Sequence, residues 1–266
     1  MVNKVLKRVY TALIYFFLYA PIIILIVFSF NESKSRGSFT GFTFKWYSML
    51  FKDRQIMRAM YYTLLVAVIA SAVSTFLGTL AAIGIHNMHR RQKKILLNIT
   101  YLPVLNPDIV TAISLMVLFI ALNLKLGLFT MIISHITFCL PYVVLSVLPK
   151  LKQLNPNIYE AALDLGATPS YALRKVIIPE IMPGIISGAL LAFTLSVDDF
   201  VISFFTTGSG VSNLSITIYS MARRGIKPEI NALSTLLFLT VLILLLLINK
   251  ITNKEEREMS LIEKNK

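Results

Sequence analysis

Residues 160–179 read EAALDLGATPSYALRKVIIP, a polar and well-punctuated segment between two long apolar ones. Asn155 followed by Pro156 has the pattern of a helix N-cap with proline at the first helical position. Gly166 stands where a helix that begins there would need a left-handed residue to end. We therefore expect a first short helix that ends at Gly166.

The second half of this segment repeats the start signal. Thr168 and Pro169 again have the N-cap and first-position pattern, and we expect a second helix that stops before Pro179. Two spans could be joined by a few polar residues, so a rigid helix pair favours a docking surface for a cytoplasmic partner. The alternative is a helix pair that merely lies on the bilayer.

The rest of the chain has the composition of an integral membrane protein. Only 15% of its 266 residues are charged, and the mean hydropathy is +0.73, whereas soluble domains average about 25% charged residues. A span needs about 20 apolar residues to cross the hydrocarbon. We predict an all-α fold with six transmembrane helices in one domain, residues 1–266, at about 9–30, 59–85, 95–121, 127–149, 181–206 and 230–249.

The distribution of basic residues predicts the orientation. If the N-terminus is cytoplasmic, 16 of the 26 Lys and Arg residues lie on the cytoplasmic side and ten on the other. This bias favours two cytoplasmic termini. The segment from about 150 to 179 is then a cytoplasmic loop between spans four and five.

Several other classes of function find no support in the sequence. The formal charge of +13 comes from residues that flank apolar spans, so we do not expect nucleic-acid binding. The lone Cys139 cannot form an intramolecular disulfide, and no metal-ligand spacing occurs. No Gly-Lys pair is present, so the chain has no phosphate-binding loop of the G-x-x-x-x-G-K-[ST] type.

Residues 160–179 resemble the EAA loop of the permeases of ABC importers. The matching positions are Glu160, Ala161, Ala162, Gly166, Ile178 and Pro179, while Val176 stands where isoleucine is usual. In that family the loop forms the coupling helices that fit a cleft on the ATPase subunit. The resemblance implies that the chain is not itself an enzyme and that a partner ATPase binds ATP and Mg²⁺.

Further blocks resemble the C-type permeases of spermidine/putrescine importers. These blocks include YAPIIILIVFSFNESK, LNPDIVTAISLMVLF and FTLSVDDFVISFFTTG, and together with others they span most of residues 19–235. The resemblance implies a polyamine importer in a bacterial plasma membrane. It also implies a sister permease, a cytoplasmic ATPase dimer and an extracytoplasmic solute-binding protein as partners.

Three acidic residues lie within the predicted spans: Asp108, Asp198 and Asp199. A charge at this depth costs about 3 kcal/mol or more unless it is compensated, and no Lys or Arg lies within any predicted span. We predict that these carboxylates line a path for a substrate with several ammonium groups. The alternative is that they form hydrogen bonds to neighbouring helices or occupy a hydrated helix break.

On an ideal helix, Asp198 and Asp199 are about 100° apart, so we do not expect both to face one path equally. Pro103 and Pro107 should loosen the third span before Asp108. We expect His135, in the fourth span, to be a structural histidine with satisfied hydrogen bonds rather than a proton relay.

Three alternatives stay open at this point. The chain could be the ABC-importer permease for another solute. It could also be an ion-coupled secondary transporter that uses the acids as ion sites, although no inverted repeat or paired broken helices are visible in the sequence. The third alternative, an intramembrane enzyme, would need a nucleophile and base at matching depth, and no convincing pair is present.

Overall fold

The computed structural model describes residues 4–33, 38–224 and 228–264. In this part of the chain the fold is helical, apart from one isolated β-bridge between Asn31 and Phe42. The helices are α1 (Lys4–Ser29), α2 (Lys45–Lys52), α3 (Arg54–Asn87), α4 (Arg90–Leu105), α5 (Asp108–Ala121), α6 (Leu128–Gln153), α7 (Ile158–Asp164), α8 (Pro169–Ala172), α9 (Ile178–Asp198), α10 (Val201–Thr206), α11 (Leu214–Arg224) and α12 (Pro228–Lys264).

Most of the predicted spans have a corresponding long helix. In the described part of the chain, five helices are long and apolar enough to cross a membrane: Leu6–Ser29, Arg54–Asn87, Leu128–Gln153, Pro169–Asp198 and Pro228–Leu246. A sixth span is present only if the bent pair α4 and α5 is counted as one. The all-α class is confirmed, and the number of spans is five or six.

The prediction of one helix over residues 95–121 was wrong. The chain forms α4 and α5, whose axes differ in direction by 103°. Asn106 and Pro107 between them are both extended, with ψ of 146° and 136°. A residue before proline is driven out of the helical region by the proline ring, and this explains the break at Asn106.

The prediction for residues 181–206 was also wrong as a single helix. α9 ends at Asp198, Asp199 is extended with ψ of 129°, and α10 begins at Val201. The estimate of 100° between Asp198 and Asp199 therefore does not apply, because Asp199 is outside the helix.

The chain packs as two units. One comprises Met1–Ala59 with Thr217–Thr240, and the other comprises Met60–Ile216 with Val241–Lys266. In the first unit, the buried Trp46 indole donates a hydrogen bond to the carbonyl of Asn31 at 2.6 Å. The second unit contains the loop and the three acids.

The core of the second unit lies between α6 and α9. Gly188 on α9 approaches so closely that an added Cβ would lie 3.3 Å from the Cβ of Ser146 on α6. Gly184, one turn away, would meet the Lys150 side chain at 2.8 Å and the Ser146 carbonyl oxygen at 3.1 Å. Small residues thus allow α6 and α9 to pack at close range.

Candidate functional site

The loop of residues 150–179 contains two short helical segments that meet at Gly166. Gly166 has φ of +87°, the left-handed conformation predicted for it. Its N–H donates to the carbonyl of Leu163 at 2.9 Å, so it ends α7. Thr168 caps the following helix by accepting from the N–H of Tyr171 at 3.4 Å, as its position before Pro169 predicted.

Two details of the predicted loop were wrong. α7 begins at Ile158 and not at Pro156, because the Asn155 side chain accepts from the N–H of Asn157 at 3.0 Å in a turn. The second helix does not stop before Pro179. It continues through a π-helical turn, Leu173–Ile177, into α9, and Pro179 lies directly after this turn as the second residue of α9.

The loop is anchored on one side and open on the other. Ile158, Tyr159 and Leu173 pack against the core of the second unit. Leu165 is 90% exposed and Tyr171 is 58% exposed. Between them lies an open groove of about 470 Å³, lined by Ala162, Leu165, Gly166, Ala167, Thr168, Tyr171 and Val176.

The predicted coupling residues are divided between this open side and the start of α9. Glu160 and Ala161 are exposed on α7, and Ala162 is half-buried at the groove. Ile178 and Pro179 belong to the continuous helix that leads into the membrane segment. The second helical segment of the loop is therefore continuous with α9.

Asp108 lies at the first position of α5, immediately after the bend from α4. It is exposed, and its carboxylate has no hydrogen bond or ion pair with any described residue. The positive end of the α5 dipole lies at this position, where a negative charge is favoured.

Asp198 is the last residue of α9 and is also exposed. Within the described chain its carboxylate, like that of Asp108, makes no hydrogen bond or ion pair. It adds a negative charge to the negative end of the α9 dipole, where a cation is favoured. The two exposed acids therefore lie at opposite kinds of helix end.

Asp199 has a different environment from its neighbour. Its side chain is only 5% exposed, and its two oxygens accept from the N–H groups of Ile202 at 3.0 Å and Ser203 at 2.8 Å. It satisfies the first N–H groups of α10, which would otherwise lack partners in an apolar environment. This is the hydrogen-bonded arrangement that the sequence left open as an alternative for the acids.

A buried polar cluster surrounds Asp199, and of its other members the sequence pointed only to His135. The Nδ1 of His135 lies 2.7 Å from the Ser196 hydroxyl, and its Nε2 lies 2.9 Å from the Ser203 hydroxyl. Nε2 is also 3.5 Å from Asp199, and Asn213 donates to the Ser203 hydroxyl at 2.7 Å. The expectation of a satisfied histidine is confirmed.

In the sequence, this cluster could have been recognised only from the polar residues that it places in apolar segments. Ser196, Ser203 and Asn213 are at most 3% exposed, yet serine is common in membrane helices and gives little information by itself. The described residues contain no group of three or more His, Cys, Asp or Glu side chains able to hold a metal ion. The arrangement thus offers an exposed loop and two exposed carboxylates at helix breaks.

Comparison with known proteins places this arrangement in a family. Residues 74–254 match the family model described as the binding-protein-dependent transport system inner membrane component. The match covers more than half of the chain. This protein belongs to that family of transport permeases. It is therefore a multi-pass inner-membrane component of an ABC transporter and not a catalytic subunit.

Two relatives from Escherichia coli (strain K12) extend the match to nearly the whole chain. The spermidine/putrescine transport system permease protein PotC is 42% identical over 246 residues, which are 92% of this chain and 93% of that protein. The putrescine transport system permease protein PotI is 40% identical over 228 residues, 83% of this chain and 81% of that one. The chain is thus homologous to polyamine permeases.

The fold also matches a solved transporter. A bacterial alginate ABC transporter in complex with an alginate pentasaccharide-bound periplasmic protein gives a TM-score of 0.69 with 19% identity, over 94% of each chain. At this identity the likeness concerns the fold alone. It confirms the ABC-importer permease architecture that the EAA loop predicted.

Proposed function

We propose that this permease forms half of the translocation path of an ATP-driven importer of polyamines such as spermidine and putrescine. The observation that carries the proposal is that Asp108 and Asp198 are both exposed, without a described partner, at helix breaks in apolar segments. A carboxylate in such a place needs compensation. A polyammonium substrate would supply it, and the relatives' names indicate the same class of solute.

Energy would reach this path through the loop. The chain lacks a phosphate-binding loop, so ATP and Mg²⁺ would bind to a separate cytoplasmic ATPase dimer. Leu165 and Tyr171 offer the exposed apolar surface that a partner's cleft could cover, and Glu160 adds a fixed negative charge beside it. A sister permease would form the other half of the path, and an extracytoplasmic binding protein would deliver the solute.

The central test is transport by the complete complex in liposomes. This permease is co-purified with the subunits encoded beside it, and ATP-dependent uptake of radiolabelled putrescine and spermidine is measured. Asp108→Asn and Asp198→Asn should each lower uptake about tenfold, because one charged hydrogen bond contributes roughly 1–3 kcal/mol. Asp53→Asn is the matched control, since Asp53 is an exposed acid that caps α3 and asparagine also caps helices.

Each rival function would give a different result in the same experiment. ATP-dependent uptake of another solute, with no polyamine uptake, would assign the chain to a different importer of this family. Uptake that follows an ion gradient and ignores ATP would identify a secondary transporter. Wild-type polyamine uptake in both aspartate variants would contradict the cation path while leaving the ABC assignment intact.

The loop has its own test. Gly166→Val forces a β-branched residue into the left-handed conformation, and we expect reduced ATPase binding and reduced substrate-stimulated hydrolysis with unchanged membrane insertion. Gly166→Asn is the matched control, because it adds a side chain at the same position but tolerates the left-handed conformation. Normal stimulated hydrolysis in Gly166→Val would show that the loop does not couple the two subunits.

The orientation of the chain completes the proposal. With Cys139 replaced, cysteines at Lys93 and Lys254 should react only with membrane-permeant reagents in intact cells. A cysteine at Ser38 should react with impermeant reagents as well. Labelling of position 254 by an impermeant reagent would place the C-terminus outside and contradict the prediction of two cytoplasmic termini.

A further inference from the structure

The break between α9 and α10 is bridged by a residue from another helix. His135 on α6 contacts Ser196 in the last turn of α9 through Nδ1 and Ser203 in α10 through Nε2. Asp198 lies between these two serines in the chain. Because each hydroxyl can donate or accept, a neutral ring is satisfied in either tautomer, and the imidazole ties the two sides of the break together.

A third segment fixes the same break from the start of α11. The amide nitrogen of Asn213 donates to the Ser203 hydroxyl at 2.7 Å and to the backbone carbonyl of Asp199 at 3.2 Å. The amide oxygen of Asn213 accepts from the N–H of Ile216 at 2.9 Å. Asn213 is itself held, since the next residue, Leu214, donates its N–H to the Thr63 hydroxyl at 2.8 Å.

The cluster contains more contacts between segments than its side chains need to satisfy their own hydrogen-bonding groups. A buried serine in a membrane helix normally bonds to its own helix, as Ser134 does to the carbonyl of Thr130 at 2.8 Å. Ser203 instead contacts α6 and the segment before α11, although the carboxylate of Asp199 already caps its N–H. All of these side chains are buried, and Asp198, which is exposed, is the residue directly before Asp199 and the last residue of α9.

We propose that His135, Ser203 and Asn213 are positioning residues for Asp198. They hold the α9–α10 break in one geometry, so that the Asp198 carboxylate presents a fixed charge at the end of α9. The role rests on the proposed function in one respect, because it matters for transport only if Asp198 binds the cationic substrate. A network that fixes a binding group lowers the cost of ordering it when substrate arrives.

The test compares two variants, each of which removes one buried serine hydroxyl. Ser203→Ala removes a buried hydroxyl from the cluster, and Ser134→Ala removes an equally buried hydroxyl that bonds within α6. KM and maximal rate of ATP-dependent putrescine uptake are measured with the complete complex in liposomes. Ser203→Ala should raise KM about three- to tenfold, the range of one lost hydrogen bond, with little change in maximal rate, and Ser134→Ala should change neither.

A double variant separates positioning from general destabilisation. In an Asp198→Asn background, Ser203→Ala should raise KM less than about twofold further, because residues that act through one another are not additive. An increase by the same factor as in the wild-type background would overturn the proposal. A normal KM for Asp198→Asn alone would contradict the cation path and not the positioning.

A chemical readout tests the geometry without transport. With Cys139 replaced by alanine, a cysteine at Asp198 is treated with a cationic methanethiosulfonate reagent in the purified complex. Ser203→Ala should change the reaction rate at least about threefold, since a loosened break alters the exposure of position 198, and Ser134→Ala should leave it unchanged. Equal rates with and without Ser203→Ala would overturn the positioning role whatever the uptake data show.

The conservative variants of His135 identify which contact matters. Asparagine places a polar atom near the Nδ1 position and glutamine near the Nε2 position, so each retains one of the two serine contacts. We expect His135→Leu to raise KM most and both amide variants to restore it in part. Amide variants as defective as His135→Leu would show that ring packing, and not the hydrogen bonds, supports Asp198.

Discussion

The two helix breaks of this permease differ in how they satisfy the backbone N–H groups that a break leaves without partners in the helix. At α4–α5 the break is made by Asn106 and Pro107, and it leaves Asp108 exposed without a described partner. At α9–α10 the stretch from Ser196 to Thr206 contains no proline or glycine. There the break is held by a buried cluster of side chains from α6, α10 and the segment before α11.

The difference lies in how each break satisfies its backbone. Proline lacks an N–H, so Pro107 removes a donor at the break that would otherwise need a partner. The α9–α10 break keeps all its N–H groups, and Asp199 must accept two of them. A proline break therefore depends on local chemistry, whereas a hydrogen-bonded break depends on three separate segments being in place. Each break leaves one exposed aspartate, Asp108 or Asp198.

The largest effect should come from removing the buried acid. Asp199→Ala leaves the N–H groups of Ile202 and Ser203 without their acceptor, and each such group costs about 1–3 kcal/mol. This is a large share of a typical stability of about 5–15 kcal/mol. We expect a sharp fall in the yield and Tm of the assembled complex, measured after mild detergent extraction.

The matched controls for this variant are Asp108→Ala and Asp198→Ala, which remove exposed carboxylates. Both should assemble with a Tm close to wild type, even where they transport poorly. Asp199→Asn should be milder than Asp199→Ala, because its amide oxygen still accepts one bond. A loss of assembly in Asp108→Ala equal to that in Asp199→Ala would remove the contrast between the two breaks.

The same contrast explains what could be predicted from the sequence. Pro103 and Pro107 are local signals, and they pointed to a loosened third span before Asp108. Gly166 and Thr168 are also local signals, and the left-handed turn at Gly166 and the helix N-cap at Thr168 were predicted correctly. The break at Asp199 could not be predicted, because it depends on His135 and Asn213, which lie 64 residues before it and 14 residues after it.

The cluster illustrates a general limit of local patterns. Asp198 and Asp199 are chemically identical and adjacent, so no local pattern distinguishes the exposed residue from the buried helix cap. Their different environments follow from tertiary contacts to α6 and to the segment before α11. The continuation of the second loop helix through Pro179 was missed because proline was taken as a stop signal, whereas the helix runs on through the π-helical turn directly before it.

A smaller effect should follow from disturbing the seam that places α9 against α6. In Gly184→Ala the new methyl group would lie 2.8 Å from the Lys150 side chain and 3.1 Å from the Ser146 carbonyl oxygen. Overpacking of this kind costs about 1–3 kcal/mol. We expect the Tm of the complex to fall by several degrees, with a rise in KM if the α9 end shifts relative to His135.

The control is Gly84→Ala on α3, where an added Cβ meets nothing within 4 Å. This change should be neutral or slightly stabilising, because alanine favours the helix over glycine by about 1 kcal/mol. A Tm loss in Gly84→Ala as large as in Gly184→Ala would indicate that helical glycines matter here for a reason other than the α6–α9 seam.

The smallest effect should come from the proline break itself. Pro107→Ala restores an N–H and removes the restraint on Asn106, and since residues 106–108 are exposed, no buried group loses a partner. We expect normal assembly and Tm, and a KM for putrescine raised about two- to threefold, because Asp108 is less firmly placed and an ordering cost of about 0.5–1 kcal/mol returns on binding.

The measurement is uptake by the complete complex, compared with uptake by the Asp108→Asn variant. In that background Pro107→Ala should have no further effect on KM, since the residue that it positions no longer carries charge. A collapse of assembly in Pro107→Ala would mean that the first break, like the second, is held by long-range contacts, and the distinction between the two breaks would then be wrong.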